Sequence, residues 1–313
     1  MQTYIFLELN DSVSLDISVL NILLKDRTSN QNIIWATDDY SKFNNSFTAK
    51  NKIESYLFTK INTSILIRPR IAKTKDKQNG RTREKAEVFT PSWLCNEQNN
   101  LIDERWFGRK NVFNKQTDKA WKSIKSKIIF PDLKNRTWKD YVDARRMEIT
   151  CGEAPYLVSR YDTVYGNIIN LHRRIGLLDR KLRVVNENTI NKKEWFEWVM
   201  RAYQSIYGYE YQGDNLLIAR ANLLYTFIDN MKFKFKQTPN NAELCKIATI
   251  ISWNIWQMDG ITNTIPFSGK KNLTQQLSIF EEDKKEHILC RIKDWRSKKI
   301  IEFAYLLEGK NNG

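Results

Sequence analysis

Residues 147–157, MEITCGEAPYL, decide how the rest of this sequence is read. Met147, Glu148 and Ile149 have the character of a short strand, which breaks at Thr150 into a Cys-Gly pair and a turn of small residues closed by Pro155 and Tyr156. At the carboxyl end of a strand, a turn of this kind lets the backbone approach a ligand where a side chain would intrude. Glu148 places a carboxylate beside that approach.

Downstream, SIYGYEYQGDNLLIARANLL (205–224) reads as a short strand ending in an acidic residue, Glu210, and then a helix. The stretch IISWNIWQMDG (250–260) reads as a helix running into a strand that ends at Asp259. Between the first two, KKEWFEWVMRAYQSI (192–206) repeats apolar residues at helical spacing, so Trp195 and Trp198 are expected in the core. Strands alternating with helices imply an α/β sheet.

Three parts are expected. Residues 1–67 form a small mixed module with β-rich runs such as NIIWATDDY (32–40) and SILIRPR (64–70). Residues 68–145 begin with RPRIAKTKDKQNGRTREK (68–85), a basic loop with almost nothing to bury. They continue through EVFTPSWLCNEQNN, where Thr90 would cap a helix starting at Pro91, into a mostly helical stretch. Residues 146–313 form the core, with a polar, loose segment at 268–288.

The 313 residues carry a net charge of +15 with 41% hydrophobic residues, enough to bury a sizeable core. That charge calls for a polyanionic partner, nucleic acid first, or else reflects a Lys-rich composition bias. Arg68, Arg70, Arg81 and Arg83 are the phosphate-contact candidates of the first basic stretch, and Arg173 and Arg174 those of a second, LHRRIGLLDRKLRVVNENT (171–189). Four scattered cysteines and two isolated histidines give no metal-ligand spacing, and point to reduced thiols in a cytoplasm. Neither a secretory leader nor a run of eighteen apolar residues is present, so no membrane is expected. Phosphate-binding and dinucleotide-binding glycine loops are absent, as is any paired nucleophile and histidine.

The order of these stretches resembles the DNA adenine-amino methyltransferase family, the modification subunits of restriction systems, over roughly residues 30–307. MEITCGEAPYL is similar to the family's first motif, with Glu148 at the acidic position, Cys151 and Gly152 on the turn, Tyr156 at the aromatic, and Ala154 where the family usually has Gly. The resemblance implies a partial Rossmann-like methyltransferase sheet with helices on both faces, preceded by the small mixed module, and S-adenosyl-L-methionine as cofactor. It further implies that Glu148 meets the cofactor's ammonium group, Glu210 its ribose hydroxyls and Asp259 its adenine amino group, with Trp256 or Met258 on the purine. Phe89, Thr90 and Pro91 would close the methionine end.

One family element is missing: no Asp/Asn-Pro-Pro-Tyr/Phe tetrapeptide occurs, and NTIPF (263–267) is only a distant approach to it. The sequence ends at LLEGKNNG, near where longer relatives would begin the strand leading to that motif. Glu148 and Glu210 also stand further apart than one crossover helix requires, so an insertion of roughly 160–190 is expected between them. Two outcomes fit: the cofactor-binding part of a split adenine methyltransferase whose second polypeptide brings catalysis and target recognition, or a catalytically silent DNA-binding or protein adaptor.

Overall fold

The structure, a computed structural model, describes residues 4–5, 14–58, 67–73, 75–85, 87–268 and 287–307. In chain order these form β1 (Tyr4–Ile5), β2 (Ser14–Leu15), α1 (Ile17–Leu24), α2 (Lys75–Lys85), α3 (Ser92–Phe107), β3 (Asn114–Thr117), β4 (Ala120–Ser123), α4 (Trp138–Asp143) and β5 (Arg146–Glu148). There follow α5 (Leu177–Asn188), α6 (Lys192–Gln204), β6 (Ile206–Glu210), α7 (Gly213–Phe235), α8 (Asn241–Asn254), β7 (Ile255–Gln257), β8 (Arg291–Lys293), β9 (Ile300–Glu302) and α9 (Phe303–Leu307). The fold is mixed α/β, and no helix of the described residues is long and apolar enough to cross a membrane.

The three strands expected from the sequence form one parallel sheet in the order β5-β6-β7. Glu148 lies opposite Gly208, and Glu210 opposite Gln257. Alternation along β6 sorts its side chains onto two faces. Ile206 joins the main core with residues of α5, α6, α7 and α8, whereas Tyr207 and Tyr209 join a smaller cluster with Trp256, Met258, Ile292 and Phe303. The long helices therefore crowd one face, and the β8-β9 hairpin with the five-residue α9 covers the other, where long helices were expected. Two successive parallel connections running the same way put their helices on the same side.

Other local expectations change with tertiary context. The basic stretch is a 3-10 turn at Arg70–Ala72 followed by α2, because Arg81 turns inward and anchors the helix. Within 109–146 only α4 is helical; a polar hairpin, β3-β4, turns at Asp118 and is held to α3 by Asn96–Asn114 amide bonds of 2.8–2.9 Å. The expected insertion contains α5, packed into the core, with Arg180 bonded to Asp103 and Asn96, and Lys181 to Ser205 and Ala144. Most of the stretch at 268–288, and Ser64–Leu66 of the second β-rich run, lie outside the described residues.

The main hydrophobic cluster runs without a break from Val19 through Trp35, Tyr141 and Leu178 to Ile255. Residues 33–36 lie across the carboxyl ends of β6 and β7. Gln257 accepts from the Ile34 N–H (2.9 Å) and donates to the Ile34 carbonyl (2.8 Å), and the Gly213 N–H donates to Trp35 (2.9 Å). A Cβ on Gly213 would stand 1.9 Å from the Ile34 oxygen, so α7 begins with glycine because another backbone occupies that space. Gly→Ala within a helix ordinarily gains about 0.5–1 kcal/mol. Gly213→Ala should instead lose about 1–3 kcal/mol through overpacking, measured by urea unfolding; an equal or higher midpoint would refute this contact.

Candidate functional site

A cavity of about 820 Å³ opens at the carboxyl ends of β5 and β6. Phe89, Thr90, Glu148, Cys151, Gly152, Tyr156 and Glu210 all line it. Three stretches far apart in sequence therefore converge on one crevice, at the place in a parallel sheet where ligands bind.

The turn after β5 is shaped by its backbone. Thr150 and Gly152 have φ of +47° and +53°, and a Cβ on Gly152 would press on the Phe89 ring at 3.3 Å. Ala154 is fully buried with φ of +64°, a left-handed conformation that glycine adopts at no steric cost and alanine does not. It lies beneath the cavity lining. The turn is fixed from below by Glu153, whose carboxylate accepts from Tyr161 and the Arg70 N–H, and whose carbonyl accepts from Asn222 of α7 at 3.1 Å.

Glu210 is 7% exposed and accepts from the Gly152 N–H (2.9 Å) and the Gln212 N–H (3.1 Å). Burial pushes its carboxyl up to about 7. Glu148 accepts from the Tyr156 and Leu157 N–H groups at 3.3 and 3.2 Å, and burial, reinforced by Glu210, also raises its carboxyl well above the ordinary range. The Cys151 thiol, buried beside both carboxyls, is driven upward, which keeps it protonated and unfit as a nucleophile.

Several lining residues escaped sequence reasoning, among them Asp38, Glu87, Tyr211, Asn215 and Phe267. Glu87 Oε1 and Asn215 Oδ1 are buried acceptors without hydrogen-bond partners among the described residues. Among the described residues the walls carry four carboxyl groups, those of Asp38, Glu87, Glu148 and Glu210, and no Lys or Arg, within a protein of net charge +15. Phe267 and Tyr211, ring centroids 6.1 Å apart, supply an aromatic corner.

Several expected site residues are placed elsewhere. Pro91 precedes α3 as its N-cap, and the helix amide at Ser92 is capped by Asp162 rather than by Thr90. Asp259 bonds the amides of Ile261 and Thr262 in its own turn and does not line the cavity. Trp256 and Met258 are buried on the opposite face of the sheet, out of reach of a purine in the cavity.

Of the phosphate-contact candidates, Arg68, Arg83 and Arg173 are exposed and Arg70 lies over the Phe89 ring. Arg81 is withdrawn from any phosphate: 4% exposed, it pairs with Glu87 (2.6 Å), Asp39 (2.8 Å) and Asp214 (2.9 Å) and bonds Gln212. Arg174 is likewise mostly buried, against Asp229.

Behind the cavity wall, Asp214 is fully buried and meets Arg81, Lys73 (3.1 Å) and the Tyr40 hydroxyl (2.7 Å). Among the described residues no group of His, Cys, Asp and Glu has the arrangement to hold a metal ion. Comparison of the chain with protein-family models, curated proteins and solved structures finds no match.

Despite burial, Lys73 and Arg81 hold the Asp214 carboxyl far below the ordinary range. A depressed folded-state value gives stability that is present above the unfolded carboxylate value of about 3.9 and lost as pH falls below it. Asp214→Asn should therefore cost about 3–5 kcal/mol at pH 7, because two buried cations lose their counter-charge. In urea titrations the gap between variant and parent should narrow below pH 4; a gap independent of pH would count against the ionic account.

Proposed function

We propose that this chain is the S-adenosyl-L-methionine-binding part of a DNA adenine methyltransferase of a restriction-modification or related system. The observation that carries the reading is an acidic, aromatic-cornered cavity at the carboxyl ends of two parallel strands in a strongly basic protein. The cofactor brings a sulfonium, an ammonium, two ribose hydroxyls and an adenine amino group. These are cations and donors, and the cavity offers carboxylates and two unpartnered acceptors. Glu210, with one oxygen at each of two amides, is the residue for the ribose hydroxyls; Glu148 and Glu87 face the positive end; Tyr211 and Phe267 flank the ring.

Methyl transfer from a sulfonium needs no metal. It needs proximity, in-line geometry and an environment that follows the dispersing positive charge. The base-accepting Asn-Pro-Pro-Tyr element does not occur within these 313 residues. The order β7-β6-β5 supports this reading, since it is the order strands three, two and one would take in a doubly wound sheet, and such a sheet would continue beyond the outer edge of β5. Among the described residues no strand pairs with that edge of β5.

Calorimetric titration with S-adenosyl-L-methionine should show one site, weakened by about 1–3 kcal/mol in Glu210→Ala as charge-assisted hydrogen bonds are lost. The pH dependence is signed. With its carboxyl near 7, Glu210 is half protonated in the free protein at neutral pH, and ribose hydroxyls favour the carboxylate. Binding should tighten from pH 6 to pH 8 with proton release, and Glu210→Gln should flatten that slope, leaving only the part due to Glu148. Folded protein that takes up no cofactor at any pH would sink the reading.

A further inference from the structure

A second cavity, of about 1050 Å³, lies among the β3-β4 hairpin, the 3-10 turn Leu171–Arg173, α5 and the later turns of α7. Asn215 lines the first cavity and Asn230 the second, and both are on α7. At ~1.5 Å of rise per residue the two sites are about 22 Å apart along the helix.

The charge here is the reverse of the first site: among the described residues eight Lys or Arg line the walls against Asp179 and Glu187. Three of the eight are committed: Arg180 to Asp103, Arg183 to Glu187, and Lys234 to the carbonyls of Asn186 and Thr189. Lys115, Lys122, Lys125 and Arg173 are exposed and form no ion pair among the described residues. Arg174, 8% exposed, bonds Asp229 through Nη2 at 2.7 Å, while its Nη1 is buried without a hydrogen-bond partner among the described residues. An unpaired buried guanidinium donor is costly, and the cost is recovered when an acceptor enters.

Aromatic groups complete the lining. Trp121 is anchored by its indole N–H on the Arg173 carbonyl at 2.8 Å, with the Arg173 guanidinium 5.7 Å from its ring centre. Phe233 is 54% exposed, although it belongs to a helix that is otherwise almost wholly buried. Partly open rings among uncommitted cations are what stacks bases and tracks a phosphate backbone.

We infer that this cavity binds a single strand of nucleic acid, with Lys115, Lys122, Lys125 and Arg173 on the phosphates and Trp121 and Phe233 against the bases. A duplex keeps its bases stacked on each other and has no use for the rings. A lone nucleotide has one phosphate site, whereas these cations are spread over both strands of the hairpin, the segment after it and the 3-10 turn. The inference goes beyond the cofactor reading and does not depend on it.

The test uses the full chain and a fluorescein-labelled single strand of about twelve nucleotides, within the usual site sizes, followed by anisotropy at several salt concentrations. Lys122→Gln/Lys125→Gln/Arg173→Gln should weaken binding at least about tenfold and flatten the salt dependence, since fewer counterions are released. Trp121→Leu should weaken it about fivefold with the salt slope unchanged, as expected for lost stacking. Phe233→Ala, at an exposed position, serves the same purpose if Trp121→Leu does not fold. Lys298→Gln/Lys299→Gln, in the exposed basic cluster of the β8-β9 turn, should stay within about twofold of the parent, as the inference places no strand there.

Equal losses in the two basic-cluster variants would overturn the site in favour of diffuse charge. Duplex preferred over single strand, with both aromatic variants neutral, would overturn the base contact. Full displacement by a free nucleoside monophosphate at comparable concentration would make this a small-ligand site, and phosphatidylserine vesicles bound with the same variant sensitivity would make it a membrane contact. Cofactor titration of the same variants separates the two sites: it should be unchanged here whatever the oligonucleotides do.

Discussion

A buried carboxylate with three donors holds this structure together. Asp214 sits at the first turn of α7, where the helix's amide dipoles already favour negative charge, and it draws Lys73, Arg81 and Tyr40 inward from two other parts of the chain. Burying a lone carboxylate is prohibitive; burying one that is paired and hydrogen-bonded on several sides is not. Arg81 in turn spends its remaining donors on Glu87, Asp39 and Gln212. The result is a knot joining the segment before residue 58, the basic helix α2 and the helix after β6, immediately behind the wall of the acidic cavity.

Two carboxyls in that cavity, Glu148 and Glu210, are raised by burial while Asp214 is depressed, although all three are deeply buried. The difference is partners. Asp214 faces cations, whereas among the described residues Glu148 and Glu210 accept only backbone amides, and Glu210 helps push the Glu148 carboxyl up. The first group is satisfied by the protein alone; the other two retain capacity for a ligand that brings positive charge or hydroxyl donors.

Much of the cavity was legible in the sequence because its makers are turn-chemistry residues at the ends of strands. Gly152 and Glu210 announce themselves by what precedes and follows them, and the three strands read from the sequence join in one sheet. Legibility failed where a role depends on a partner distant in the chain. Nothing in a run of eight basic residues marks Arg81 as the one that turns inward, because its acids lie at positions 39, 87 and 214. Asp38, Glu87 and Asn215 reach the cavity for the same long-range reason. The β3-β4 hairpin lacks the apolar alternation that reveals a strand, since amide side chains rather than apolar packing fix it to α3. Asp259 looks from sequence like a strand-end ligand and is instead occupied by its own turn.

The close passage of the Ile34 carbonyl over Gly213 bears on how this protein can be divided or recombined. A fragment beginning at the first strand of the parallel sheet would keep every strand of that sheet and its crossover helices, yet it would uncover the Gln257 amide, the Gly213 N–H and the Asp214 carboxylate in one place. The segment 33–36 and the start of α7 therefore behave as a single inherited unit split across the chain. An exchange between two such proteins with its crossover anywhere between these stretches would bring together halves not shaped for each other, unless both sides carried the same glycine and the same backbone path.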